Sequence, residues 1–317
     1  MKNLVFAIIV VSSVFFLFNC DPEPNPTYPD VSRESKIPDD IIKRDPVSDQ
    51  HPPILHSTEF ENPVPLTLTV NTAGAEDSPF ITADGQSLYF FFTPDVRILP
   101  EKQLLDSVTG VWLSTKSSGV WTKPERVWLQ DIGKLALDGA VCVQNNEMWF
   151  ASAREGYTGV NMFTAELVNR KWENWTYSGD RLMKEIQIGE VHLHGDDLYF
   201  HSARSGGKGS YDIWVTTRSD SSWSDPNAID SVNTTEMDGF PYITPDGNEL
   251  WFTRTYLGTP AIYRSKRVNN KWSSPELIVS QFAGEPTLDE EGNLYFTHHF
   301  YENSVIIEAD IYMARKK

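Results

Sequence analysis

From residue 76 onward the apolar residues fall on alternate positions in short runs, and a polar or glycine-containing pair breaks each run in the middle. The clearest case reads Pro79-Phe80-Ile81-Thr82-Ala83-Asp84-Gly85-Gln86-Ser87-Leu88-Tyr89-Phe90. A period of two marks a half-buried strand, and Asp-Gly accepts the positive φ of a tight turn, so the run predicts a β-hairpin. The same line returns as Pro241-Tyr242-Ile243-Thr244-Pro245-Asp246-Gly247-Asn248-Glu249-Leu250-Trp251-Phe252. It returns again, shortened, over residues 286–296, where Gly292-Asn293 precedes Leu294-Tyr295-Phe296. Two weaker copies cover residues 141–150, turning at Asn145-Asn146, and 191–200, turning at Gly195-Asp196.

A third strand is expected after each hairpin, at Val111-Trp112-Leu113, Asn161-Met162-Phe163, Asp212-Ile213-Trp214, Ala261-Ile262-Tyr263 and Asp310-Ile311-Tyr312. A fourth element opens on Trp121, Trp172, Trp223 and Trp272, at intervals of about 50 residues. Four strands per unit at that period predict an all-β chain, a β-propeller of four-stranded antiparallel blades. The last unit has no tryptophan element after it, but Phe60-Glu61-Asn62-Pro63-Val64-Pro65-Leu66 mimics Trp272-Ser273-Ser274-Pro275-Glu276-Leu277. The expected fold therefore has five blades, with the N-terminal strand pairing with the last blade and closing the ring.

The combination of Pro, short strand, Asp-Gly, Leu-aromatic-Phe and the strand Tyr211-Asp212-Ile213-Trp214 resembles the PD40 family of WD40-like, TolB-type propeller repeats. The resemblance spans residues 60–317 and is clearest in the first, fourth and fifth units. It implies a propeller with a binding role in the bacterial envelope and supplies no activity.

Ahead of the repeat, Met1-Lys2-Asn3 leads into an apolar run over residues 4–18, ending Leu17-Phe18-Asn19-Cys20. The run is short for a spanning helix of about 20 residues and has the form of a secretory signal. The ending resembles a bacterial lipoprotein signal, which implies lipidation at Cys20 and removal of residues 1–19. Residues 20–55 are rich in proline and are expected to form a solvated tether, with the propeller over residues 56–317. Cys142, in Ala140-Val141-Cys142-Val143, has the setting of a packed small apolar residue. The formal net charge of −17 makes nucleic acid an unfavourable partner.

Each unit carries an acidic residue ahead of its first strand: Glu76, Asp138, Glu190, Asp238 and Glu285. On strands lining an axis they are expected to surround one mouth of the channel. There two of them could act as acid and base on a glycosidic bond, or several could hold Ca²⁺. The alternative is that they cap loop amides at the strand starts. In the third unit a two-residue turn pairs His194 with Asp197 and His192 with Tyr199, and sets Glu190 opposite His201. His192, His194 and His201 could then bind Zn²⁺, or serve as packed inter-blade histidines. Longer segments at 93–109 and 298–308 interrupt the first and fifth units and are expected to form one rim. Gly206-Gly207-Lys208-Gly209-Ser210 lacks the spacing of a phosphate-binding loop, and neither a Gly-x-Ser-x-Gly nor a His-Glu-x-x-His motif occurs. The expected role is a monomeric, lipid-anchored scaffold on the outer membrane or cell surface, binding an envelope protein or glycan without catalysis. The alternative is a glycan-active hydrolase or lyase.

Overall fold

The computed structural model describes residues 27–220 and 222–317. Cys20 and the apolar run before it lie outside the described residues. Strand makes up 49% of the structure and helix 6%, so the chain is all-β. Five antiparallel units follow one another, each built on an expected hairpin. Their first strands are Ala75–Ile81, Ala136–Gln144, Val191–His194, Asp238–Ile243 and Ala283–Leu288. Their second strands are Ser87–Thr93, Glu147–Arg154, Asp197–Ser202, Glu249–Tyr256 and Leu294–Glu302, and their third strands are Gly110–Ser117, Asn161–Val168, Asp212–Ser219, Thr259–Val268 and Val305–Ala314. The repeat is carried into the register: Phe80 lies opposite Tyr89 as Tyr242 lies opposite Trp251. The first strands are neighbours in a cycle, with Ala283–Leu288 against Ala75–Ile81.

The recurring tryptophans explain how one unit adheres to the next. Trp172 donates its ring N–H to the Tyr89 hydroxyl of the preceding unit at 3.3 Å. Trp223 packs edge-on against Trp149 with centroids 5.8 Å apart. Trp272 packs in the cluster that holds Tyr199, and Trp121 in the cluster that holds Tyr295 of the fifth unit. The place of a fifth tryptophan is taken by Phe60, edge-on to Trp251 at 5.9 Å. Each contact buries a large ring against a second-strand aromatic, which is where most of the stabilising area of such a repeat lies. Downstream of Phe60, Val64–Pro65 pairs with the last strand, Val64 opposite Met313 and Pro65 opposite Tyr312.

The first strands share one irregularity. Ser78, Ala140, Phe240 and Glu285 adopt φ of 47°, 48°, 54° and 58°, each at a bulge between first and second strand. A bulge bends the strand and re-aims the residue it carries. Glu190 occupies the corresponding place ahead of Val191–His194.

Residues 27–53, expected to be a solvated tether, instead pack as a strap over the first and fifth units. Arg33 is buried and donates to Glu76 at 2.8 Å, Val70 O at 2.9 Å and Thr69 O at 3.1 Å. Its guanidinium also lies 5.2 Å from the ring centroids of Phe90 and Phe92. Lys43 reaches Glu308 and Asp310, and Asp49 meets His298 at 2.7 Å. Ile54–Leu55 then adds to the outer edge of Glu276–Ser280. The strap forms only two short 3-10 turns, Glu34–Lys36 and Pro46–Ser48, and its prolines leave the remaining extended chain free to lie across a surface. The strap's cations find partners on a domain with an excess of acid.

Candidate functional site

The acidic residues expected to ring one mouth divide between two positions. Glu76, Asp138 and Asp238 stand two residues before the bulge and are fully buried between strands. Asp138 accepts from Arg154 at 2.8 Å, and Asp238 accepts from Arg254 at 2.6 Å. These arginines also donate to Leu129 O and Val232 O, tying down the loop before each first strand. In the first unit Phe92 faces Glu76, where Arg254 faces Asp238 in the fourth. Arg33 of the strap supplies the missing guanidinium and bonds both Glu76 and Val70 O. Thr72 and Thr234 complete the motif, each giving its backbone N–H and hydroxyl to the carboxylate four residues on. Burial pushes the Glu76 carboxyl up to about 7 despite Arg33, and burial raises Asp238 despite Arg254. Glu76 and Asp238 cap loop amides and Asp138 is bonded to Arg154 alone, so the oxygen-lined ring expected for Ca²⁺ does not assemble from them. Among the described residues no group of three or more His, Cys, Asp or Glu side chains is placed to hold a metal ion.

Glu190 and Glu285 occupy the bulge position itself, half-buried. They line a cavity of about 50 Å³ between the five first strands, together with Ser78, His192, Phe240 and Tyr242. Asp77 joins them. The Ser78 N–H donates to Asp77 Oδ1 at 2.9 Å and to Glu285 Oε2 at 3.0 Å, and the Thr297 hydroxyl donates to the same Glu285 oxygen at 2.8 Å. Asp77 and Glu285 both accept from that one N–H, and His299 lies 3.6 Å from Asp77. Burial opposes ionisation of Asp77, but His299 and hydrogen bonds from Glu285 and Thr297 outweigh it and hold that carboxyl low. Burial, with Asp77 close by, pushes Glu285 well up, and Glu190 goes to about 8 for the same two reasons. Asp77 and Glu285 are thus shifted in opposite directions, as close carboxyls are when both cannot ionise. A glycosidase pair stands about 5–9.5 Å apart across the scissile bond. Here the two carboxyls share one amide in a space far below the roughly 300 Å³ of a small-molecule pocket.

The third-unit pairing holds, His194 opposite Asp197 and His192 opposite Tyr199, but the three imidazoles take separate partners. His192 is buried, with Nδ1 3.7 Å from Cys142 Sγ and its ring 4.6 Å from Tyr242. His194 bonds Pro245 O at 3.2 Å. His201 accepts from the Phe240 N–H at 3.3 Å and packs on Tyr211. Burial lowers His192 to about 3, with His194 adding to the effect, and burial lowers His201 to about 4. The rings take partners from different segments, the second and fourth units for His192 and the fourth for His194 and His201, which is why three imidazoles on two paired strands do not converge on a Zn²⁺ site. Burial pushes the Cys142 thiol up to about 12, in keeping with a packing residue.

The segments at 93–109 and 298–308 are bridged by the strap. Arg97 bonds Asp40 at 2.9 Å, and Arg44 bonds Glu302 at 3.1 Å. His51 and Tyr301 pack on Phe282, with centroids 5.4 and 4.2 Å away. Sequence reasoning passed over Asp77 and Arg33. Asp77 was visible in the pair Glu76-Asp77, and Arg33 had no motif to mark it.

No family model matches the chain, and no characterised protein matches it in sequence. Among solved structures it is similar to TolB from Acinetobacter baumannii, at 13% identity and a TM-score of 0.45, over 78% of this chain and 56% of that one. The chain therefore spans just over half of that protein's length. It is also similar to GH43B of a Bacteroides ovatus xyloglucan PUL, at 11% identity and a TM-score of 0.49, over 80% and 54% of the two chains. A gluconolactonase from Xanthomonas campestris aligns at 9% identity and a TM-score of 0.43, over 83% and 98%.

Proposed function

We propose that the chain is a closed five-bladed propeller acting as a lipid-anchored, non-enzymatic binding scaffold of the bacterial envelope, for a protein or a glycan. Five units, the cycle of first strands and the use of Phe60 as a fifth tryptophan support the blade count and its closure. One observation carries the non-enzymatic reading. Each carboxylate expected to do chemistry at the axis is bonded to a loop amide or guanidinium, or lines a cavity of about 50 Å³. Such groups stabilise strand starts and leave no room for a sugar ring with its water. The anchor is Cys20, the location the outer membrane or cell surface, and the working state a monomer. With the strap packed from Thr27, six residues separate it from Cys20, a reach of about 25 Å at full extension. The scaffold is thus held close to the lipid.

Two measurements test this. Labelled palmitate enters the wild type and not Cys20→Ala; equal labelling of both removes the anchor. Incubation with oligosaccharides of envelope and plant type yields no cleavage; turnover that disappears in Glu285→Gln would establish the hydrolase alternative.

A further inference from the structure

We propose that a cleft on the second unit binds a short, uncharged saccharide. This rests on the binding reading above and names a place and a ligand class for it. The cleft has a volume of about 440 Å³ and is lined by the rings of Tyr157, Trp175 and Tyr177 and by Asp131, Lys134 and Glu155. That volume falls within the roughly 300–1,000 Å³ of small-molecule sites.

The aromatic side departs from the repeat. In the first, third and fourth units the fourth element breaks after its tryptophan at Pro124, Pro226 and Pro275. In the second it runs unbroken as Lys171–Tyr177, over the same seven positions as 120–126 of the first unit, and carries Trp175 and Tyr177 where that unit has Pro124 and Arg126. The contact with the preceding unit is made by Trp172, while Trp175 and Tyr177 are only half-buried against the core. Tyr157, in the loop between the second and third strands, is 44% exposed, a costly place for a ring that serves only packing. Tyr157 and Tyr177 pack on buried Phe163, at 5.0 and 5.8 Å between ring centroids, and on each other at 5.2 Å. Arg154 stacks on Phe163 at 4.1 Å while its guanidinium is committed to Asp138. The Tyr177 hydroxyl donates to Asp180 at 2.9 Å. The wall is therefore braced before any ligand arrives.

Charge selects the ligand class. On a chain of net charge −17, this cleft carries little free charge: Glu155 is offset by Lys134 and Arg154 is committed to Asp138, which leaves Asp131. Lys134 and Glu155 pair at 3.0 Å, both exposed and able to turn toward hydroxyls. Flat rings beside exposed donors and acceptors, with a single free carboxylate, match a molecule with C–H faces and a hydroxyl rim. A cation would find Lys134 in its path, and an anion Asp131 and Glu155.

The experiment uses the full chain in a non-glycosidic detergent, titrated calorimetrically with tetra- to hexasaccharides of glucose, xylose, mannose and galactose, and with a uronic acid oligomer. At least one neutral oligomer is expected to bind with unit stoichiometry and more tightly than the uronic acid oligomer. Tyr157→Ala and Trp175→Ala are each expected to weaken it about ten-fold or more without moving the unfolding midpoint. Tyr157 is exposed enough that its removal tests the cleft even if Trp175→Ala fails to fold. No binding to any neutral oligomer overturns the proposal, as does binding indifferent to both substitutions. Binding that is lost in Glu285→Gln and kept in the ring variants also overturns it, while leaving the scaffold reading intact. Ring-dependent binding followed by cleavage supports the cleft and defeats the non-enzymatic reading.

Discussion

Replacing Arg33 by Ala removes a side chain from a segment that its composition marks as dispensable. In the structure that guanidinium is buried, gives three hydrogen bonds at 2.8–3.1 Å, and neutralises a carboxylate that no water reaches. Breaking a buried ion pair by removing one partner costs about 3–5 kcal/mol, because the other charge is stranded. That is a large part of the 5–15 kcal/mol typical of a folded domain. Stranded Glu76 has one remedy, to take up a proton. Its folded pKa is already raised from 4.5 to about 7 by burial with Arg33 in place. The folded state therefore binds this proton more tightly than the unfolded chain, and the contribution of Glu76 to stability falls as pH rises from about 4.5 through 7. Without Arg33 the folded pKa rises further and the decline continues to higher pH. Urea denaturation should show the Arg33→Ala deficit smaller at pH 6 than at pH 9. The double variant Arg33→Met/Glu76→Gln, with no charge to strand, should recover more than half of it. Deleting residues 22–26 should leave the midpoint unchanged, and deleting 27–53 should lower it at least as far as Arg33→Ala. A deficit below about 1 kcal/mol, or one identical at both pH values, would refute the argument.

Further outcomes follow from the same structure. Phe60→Ala should destabilise by about 3–5 kcal/mol in a denaturant titration, since it opens the contact with Trp251; a change within error would mean that the fifth aromatic contact is not needed. Glu190, raised to about 8 by burial and Asp77, should make wild-type stability fall as pH rises from 4.5 through 8. Glu190→Gln should flatten that slope, as read from unfolding midpoints at pH 5, 7 and 9. Cys142 should resist a thiol reagent in the native protein and react at once in urea, its thiol being buried and pushed up to about 12.

Much of the fold was legible because it depends on short-range alternation. The period of two and the turn pairs specify each hairpin and its register, down to His194 opposite Asp197. The spacing of tryptophans marked what joins one unit to the next, and the likeness of residues 60–66 to 272–277 identified the strand that pairs with Val305–Ala314. The candidate site was legible only in composition. Glu76 and Glu285 look equivalent along the chain, yet one lies two residues before its bulge and the other on it. That offset sends the first into an ion pair and the second into the axial cavity.

Sequence by itself thus determined the hairpins, their number and the aromatic contacts between them, since each depends on neighbours a few residues apart or on a repeated spacing. Tertiary structure alone decided the electrostatics. Which carboxylates share a buried space, and which cation reaches them, depends on distances between segments far apart in the chain. Arg33 and Glu76, 43 positions apart, meet because an extended strap crosses the sheets. Low-dielectric burial then makes that meeting necessary, since neither charge is stable there without the other.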